Sequence, residues 1–222
     1  MGYFQRRYTK YERRYANRLA GWCLGLSLER KEAQIEGAAP YIVVSIVKLF
    51  RGLRKASYHI DVPSYNFVDI GAGRGHALYF ISYFQRFLPF LRYQSLSGVE
   101  LDETLYQDAI DQLPETNIQL YCSDALSIDL TRFGPNVVYF LNNPMVKGAR
   151  LKFIERTMEA TKNPIFVMTN SKNLDAFCEQ ASLEIKFISN EWYKLCVATP
   201  RRIGPRAGIQ CDPHWRQLCG RS

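Results

Sequence analysis

The sequence predicts an α/β domain, a doubly wound, mostly parallel seven-stranded sheet that ends in an antiparallel hairpin and is preceded by helices. Three observations carry this. From Phe67 onward, short apolar runs bounded by turn residues alternate with amphipathic segments, the pattern of strands joined by crossover helices. The first run leads directly into a glycine-rich turn and then a helical pattern. The last two runs are separated only by Asn190-Glu191, so they form a hairpin and not another crossover.

The elements follow in order. Phe4, Tyr8, Tyr11, Tyr15, Leu19 and Trp22 recur at steps of three and four, which places them on one face of a helix with arginines and Lys10 around the rest. That stripe fits packing against the domain, as helix stripes usually do, with a clamp for phosphates and rings for stacking as the alternative. Pro40 suits the first turn of a second helix running through Ile42, Val43, Ile46, Val47, Phe50 and Leu53, with Arg51, Arg54 and Lys55 at the end that favours cations. Strands are predicted over 66–70, 95–101, 118–122, 137–141, 165–169, 183–189 and 192–199, and helices over 76–87, 103–113, 147–161 and 173–180. Prolines and glycines among arginines after Pro200 predict an extended tail. The domain plan is therefore a basic helical extension (1–60), a ligand-binding domain (61–199) and a basic tail (200–222).

Composition supports one folded domain with appendages. The chain has 222 residues, 47% hydrophobic and 14% aromatic, enough for a full core and far from a disordered composition. Charge is divided by region: residues 1–60 hold twelve Lys/Arg against four Asp/Glu, residues 61–199 twelve against sixteen, and residues 200–222 five against one. The basicity lies in the two arms, which predicts an acidic macromolecular partner meeting them. No signal-peptide pattern opens the chain, and the longest apolar run falls far short of the roughly 18 residues of a membrane span. The expectation is a cytoplasmic protein with reduced, buried thiols. The six cysteines form no CxxC pair, and Cys211, His214 and Cys219 are too few for a zinc site, so no metal is expected.

The chemistry gathers where strands end. Phe67-Val68-Asp69-Ile70 runs into Gly71-Ala72-Gly73-Arg74-Gly75, a turn whose glycines let backbone approach a ligand closely. Glu100 ends the second strand, 25 residues after Gly75, where a doubly wound fold places the carboxylate that accepts ribose hydroxyls; Asp102 is the alternative. Asp124-Ala125 follows the third strand, and Asn142-Asn143-Pro144 the fourth. An acidic residue followed by GxGxG resembles motif I of class I S-adenosylmethionine-dependent methyltransferases. It differs from the dinucleotide fingerprint, where the third glycine falls one position later. Asp124-Ala125 resembles the family's acidic-Ala signature. Asn142-Asn143-Pro144-Met145 resembles its motif IV, with Asn143 in place of a first proline and Met145 in place of an aromatic.

The resemblance covers about residues 65–199 and implies S-adenosyl-L-methionine as cofactor. It implies that Asp69 meets the amino end of the methionine moiety, that Gly71, Gly73 and Gly75 admit that moiety, and that Glu100 accepts the ribose hydroxyls. Asp124 then accepts from the adenine amine, and Ala125 lies against the ring edge. Asn142 or Asn143, with Pro144, would aim a target nitrogen by accepting its protons. Three functions are consistent with this. One is methylation of a nitrogen on a macromolecule, RNA or protein, recruited by the basic arms. The second is a small-molecule methyltransferase with the N-terminal helix as cover. The third is a non-catalytic cofactor-binding or partner subunit of the same fold.

Overall fold

The computed structural model describes residues 46–61, 64–113, 117–142, 145–170, 174–189 and 194–201. The aromatic helix expected at the N-terminus and the tail with its Cys/His set lie outside these residues.

The sheet forms because its central runs are apolar on both faces. In β1 (Asn66–Ile70), Phe67, Val68 and Ile70 are buried, and in β4 (Asn136–Leu141) every residue from Val137 to Leu141 is at most 1% exposed. Strands buried on both sides need helices on both faces, and the connections supply them. Around this pair lie β2 (Leu96–Glu100), β3 (Ile118–Cys122), β5 (Asn163–Asn170), β6 (Leu183–Ile188) and β7 (Lys194–Pro200), in the order β3-β2-β1-β4-β5-β7-β6. The first five strands are parallel, while β7 runs antiparallel to both β5 and β6. The predicted hairpin is therefore present, and its return strand inserts beside β5. Pairing of β6 with β7 slips between Ile185 and Phe187, so Lys186 falls in a bulge.

Two apolar cores sandwich the sheet. One lies under α1 (Ile46–Ser57), α2 (His76–Phe84) and a single 3-10 turn (Pro89–Leu91); α3 (Glu103–Gln112) packs beside β2 and β3. The other lies under α4 (Lys147–Ala160) and α5 (Leu174–Gln180). Glycines let α1 and α2 sit close to the sheet: a Cβ on Gly52 would stand 2.7 Å from Val167, and one on Gly98 would stand 2.7 Å from Leu78 and 2.9 Å from Ala72. The Gly98 approach seats the first turn of α2, and with it the glycine turn, directly on β2.

Helix α2 ends at Phe84, three residues before the sequence pattern does. The helix closes there in a turn, with the Phe87 and Leu88 N–H groups both donating to the Phe84 carbonyl at 2.9 Å, and Leu88, the residue before Pro89, is extended at φ −115°, ψ 103°. Helix α3 starts where Asp102 accepts from the Thr104 and Leu105 N–H groups at 2.9 and 3.1 Å, a side-chain N-cap. The strand order reverses between β1 and β4, and the crevice this creates at their carboxyl ends is where open α/β sheets receive ligands.

Candidate cofactor and acceptor site

The glycine turn is held to β2 by backbone bonds. Gly71 and Ala72 N–H both donate to the Val99 carbonyl, at 2.8 and 3.1 Å. Gly71, Gly73 and Gly75 all have positive φ, between 56° and 72°. At Gly75 the requirement is doubled, since a Cβ would be strained at φ 72° and would also stand 2.9 Å from Leu113 of the α3 end. Arg74, inside the turn, is buried and donates from Nε to Asp108 of α3 at 3.0 Å. The turn is thus fastened to the strand below it and to the helix beside it.

Two carboxylates meet there. The Gly73 N–H donates to Glu100 Oε2 at 2.6 Å, while Glu100 Oε1 accepts from the Leu101 and Asp102 N–H groups, both at 2.9 Å. Asp69 lies in the neighbouring strand, 3% exposed. Burial, and then the charge of Glu100, push the Asp69 pKa well above the usual carboxylate range. Burial also raises Glu100, against the three backbone N–H groups that favour its ionised form. A buried and a half-buried acid, both with raised pKa values, are poised to receive positive charge. The alternative ribose ligand, Asp102, has its carboxylate engaged as the α3 cap.

The third strand brings Asp124 alongside. The Ser123 N–H donates to the Glu100 carbonyl at 2.8 Å, which places the Asp124-Ala125 loop next to the end of β2. Asp124 is exposed and accepts from the Leu126 N–H at 2.8 Å, so one of its oxygens shapes the turn. Ala125 is 8% exposed. Sequence reasoning missed what fixes this loop: Arg156, on α4, donates to the carbonyls of Ala125 (3.2 Å), Ile128 (3.1 Å) and Leu126. An arginine thirty residues downstream on a helix face carries no local signal for such a role.

At the end of β4, the Thr169 hydroxyl at the end of β5 donates to Asn142 Oδ1 at 2.6 Å. The strand register makes this bond possible, since Leu141 pairs with Met168 and the next residues of each strand meet. Arg150 is buried, donates to the Met145 carbonyl at 3.2 Å, and lies over the Phe177 ring at 5.2 Å, holding the far side of the same loop. Asn143 and Pro144 lie outside the described residues.

Other features lie apart from this edge. Among the described residues no cluster of three or more metal-ligating side chains occurs, and no helix is long and apolar enough to cross a membrane. Cys178 and Cys196 are buried free thiols 3.8 Å apart, whereas Cys122 is exposed on β3, contrary to the expectation of uniformly buried cysteines. A cavity of about 340 Å³ opens at the starting edge of the strands, among His59, Asp61, Lys162, Glu184 and Lys186. Its charges are mixed, and it is remote from the crevice.

Comparison with known proteins places the architecture. No family model and no curated protein matches the sequence. Solved structures do match the fold. A "putative RNA methyltransferase" of Pyrococcus horikoshii aligns over 86% of this chain and 98% of its own, at TM-score 0.57 and 13% identity. An S-adenosylmethionine-dependent methyltransferase of Clostridium acetobutylicum aligns over 71% and 92%, at 0.54 and 9%. LepI, in complex with S-adenosylmethionine, aligns over 78% of this chain, at 0.51 and 14%; the chain spans half of LepI's length. At these identities the likeness is one of fold: the chain has the class I methyltransferase fold.

Proposed function

We propose that this chain binds S-adenosyl-L-methionine at the carboxyl edge of β1, β2 and β3 and transfers its methyl group to a nitrogen of a macromolecule, RNA or protein. The observation that carries the reading is Glu100, tied to the glycine turn through the Gly73 N–H, with the buried acid Asp69 in the neighbouring strand. A cationic amino acid–nucleoside would draw Asp69 into its ionised form and offer hydroxyls to Glu100.

In this reading Gly71, Gly73 and Gly75 present backbone to the methionine moiety, and Asp69 holds its ammonium end. Glu100 orients the ribose, and the Asp124-Ala125 loop, braced by Arg156, accepts the adenine. The cofactor supplies a methyl group already activated on a sulfonium. The protein's task is to align a nucleophile and exclude water, so a neutral amine needs no strong base. Asn142, anchored by Thr169, would accept a hydrogen bond from the target nitrogen, and Pro144 would stiffen the loop.

The test has two stages. Calorimetry of the intact chain with S-adenosylmethionine and its demethylated product should give binding that Asp69→Asn and Glu100→Gln each weaken by about tenfold or more. Methyl-labelled cofactor incubated with cell extract should then label a fraction sensitive to ribonuclease or protease, and Asn142→Ala should abolish labelling while retaining cofactor binding. Absence of binding by the unaltered chain would overturn the proposal; label confined to small molecules would overturn the macromolecular substrate.

A further inference from the structure

On the α1 and α2 side of the sheet, these two helices and the turn after them carry an excess of cations, while the acidic residues of that layer, Glu103, Asp108 and Asp111, lie on the neighbouring α3. From Ile46 to Val99 the acidic residues are Asp61, beside the far cavity, and Asp69, buried in the site. Against them stand exposed Arg54, Arg86 and Arg92. Large rings share the same surface in the open: Tyr58 is 62% exposed, Phe87 63% and Tyr83 40%. Exposed aromatics of this size, set beside an excess of arginine, are uncommon unless something covers them.

Contacts join these groups within the end of α1 and within the end of α2, and one ring pair links the two helices. Ring contacts run from Phe50 of α1 to Phe84 (5.3 Å), from Phe84 to Tyr83 (5.0 Å) and on to Phe87 (6.2 Å). Arg86 lies over both Tyr83 and Phe87, at 5.3 and 5.9 Å, and Arg54 donates to the Tyr58 hydroxyl at 3.2 Å. Guanidinium planes and phenyl rings interleaved on a surface poor in carboxylates match a single-stranded polyanion whose bases can stack, which a folded acidic protein does not offer. Helix α2 begins at the glycine turn, so its distal end lies about 13 Å along the axis from the cofactor crevice. A strand bound here would be the flank of a substrate whose target nucleotide reaches the crevice.

We infer that the strip formed by Arg54, Tyr58, Tyr83, Arg86, Phe87 and Arg92 is a docking surface for single-stranded RNA. The inference rests on the function proposed above and deepens it by naming RNA as the substrate class.

The experiment uses the full chain and a fluorescein-labelled, mixed-sequence 20-nucleotide RNA, followed by anisotropy between 50 and 300 mM KCl. The triple variant Arg54→Gln, Arg86→Gln, Arg92→Gln should flatten the slope of log affinity against log salt by about 2, at about 0.7 for each phosphate no longer neutralised. The double variant Tyr83→Ala, Phe87→Ala should weaken binding about tenfold or more with the slope unchanged, since stacking releases no counterions. Melting by circular dichroism checks that both variants fold. Unchanged affinity and slope in folded variants overturn the inference. So does a triple variant that loses polyglutamate, or vesicles of anionic phospholipid, as steeply as RNA, because the strip would then be a surface for acidic protein or membrane. Calorimetry with S-adenosylmethionine separates the two proposals. A chain that binds RNA through the strip but not the cofactor refutes the enzyme, and one that binds the cofactor but ignores the strip variants refutes only the docking surface.

Discussion

Asp69 sits 3% exposed in a parallel strand, beside a second acid, so the native state favours its protonated form. Its folded pKa exceeds the ordinary 3.8, which means the native chain holds a proton that the unfolded chain has released. The stabilising contribution of that proton is complete below the unfolded value and disappears as pH rises through the folded one. Asp69→Asn removes Asp69's share of the pH dependence and leaves that of Glu100, and at pH 8 the variant should melt a few degrees above the parent in calorimetric scans while losing cofactor affinity. The same linkage means that binding a cationic ligand at neutral pH or below expels protons. Titrations in buffers of differing ionisation enthalpy should show net release, and affinity should rise with pH. Thr169 offers a complementary case. Thr169→Val removes the donor to Asn142 Oδ1 and should lower the methyl-transfer rate about tenfold or more with cofactor affinity unchanged, whereas Thr169→Ser should restore it.

Elements fit together through what a side chain leaves out as well as through what it touches. Gly52 lies inside α1, where alanine would add up to about 1 kcal/mol of helix propensity, yet a Cβ there would stand 2.7 Å from the buried Val167. Crowding outweighs propensity, and Gly52→Ala should destabilise the chain by about 1–3 kcal/mol in urea unfolding. The loop after β3 depends on Arg156 in the opposite sense. Arg156→Met strands the carbonyls of Ala125 and Ile128, and should cost about 1–3 kcal/mol and weaken cofactor binding, measured by calorimetry. These two residues mark the boundary of what sequence displays. The strands could be located because apolar runs and turn residues are local signals, and Asp69, Glu100 and Asp124 because each ends such a run. Arg156, Thr169 and Arg150 act across the fold, through partners set by strand order and helix placement, so nothing adjacent to them in the chain announces the role. The end of α2 at Phe84 is hidden by apolar periodicity that continues to Phe87.

At the scale of the molecule, the site belongs to both cores. The glycine turn rides on α2 and β2 over one core, while Asn142 and Arg156 are held by β5 and α4 over the other. A ligand bridging them ties the two layers together, and saturation at a hundred times its dissociation constant adds about 2.7 kcal/mol to unfolding. For a domain of this size that corresponds to a rise in melting temperature of about 5–10 °C, readable in a thermal-shift assay with S-adenosylmethionine. The sheet's outer boundary has its own consequence. Because β6 kinks where Lys186 bulges and carries Glu184 two residues earlier, its free side offers no straight ladder of amides for another molecule to join. Concentrated or refolding samples are thereby steered away from end-to-end polymerisation along that margin, and straightening it by deleting Lys186 would favour fibrous aggregates detectable by thioflavin fluorescence.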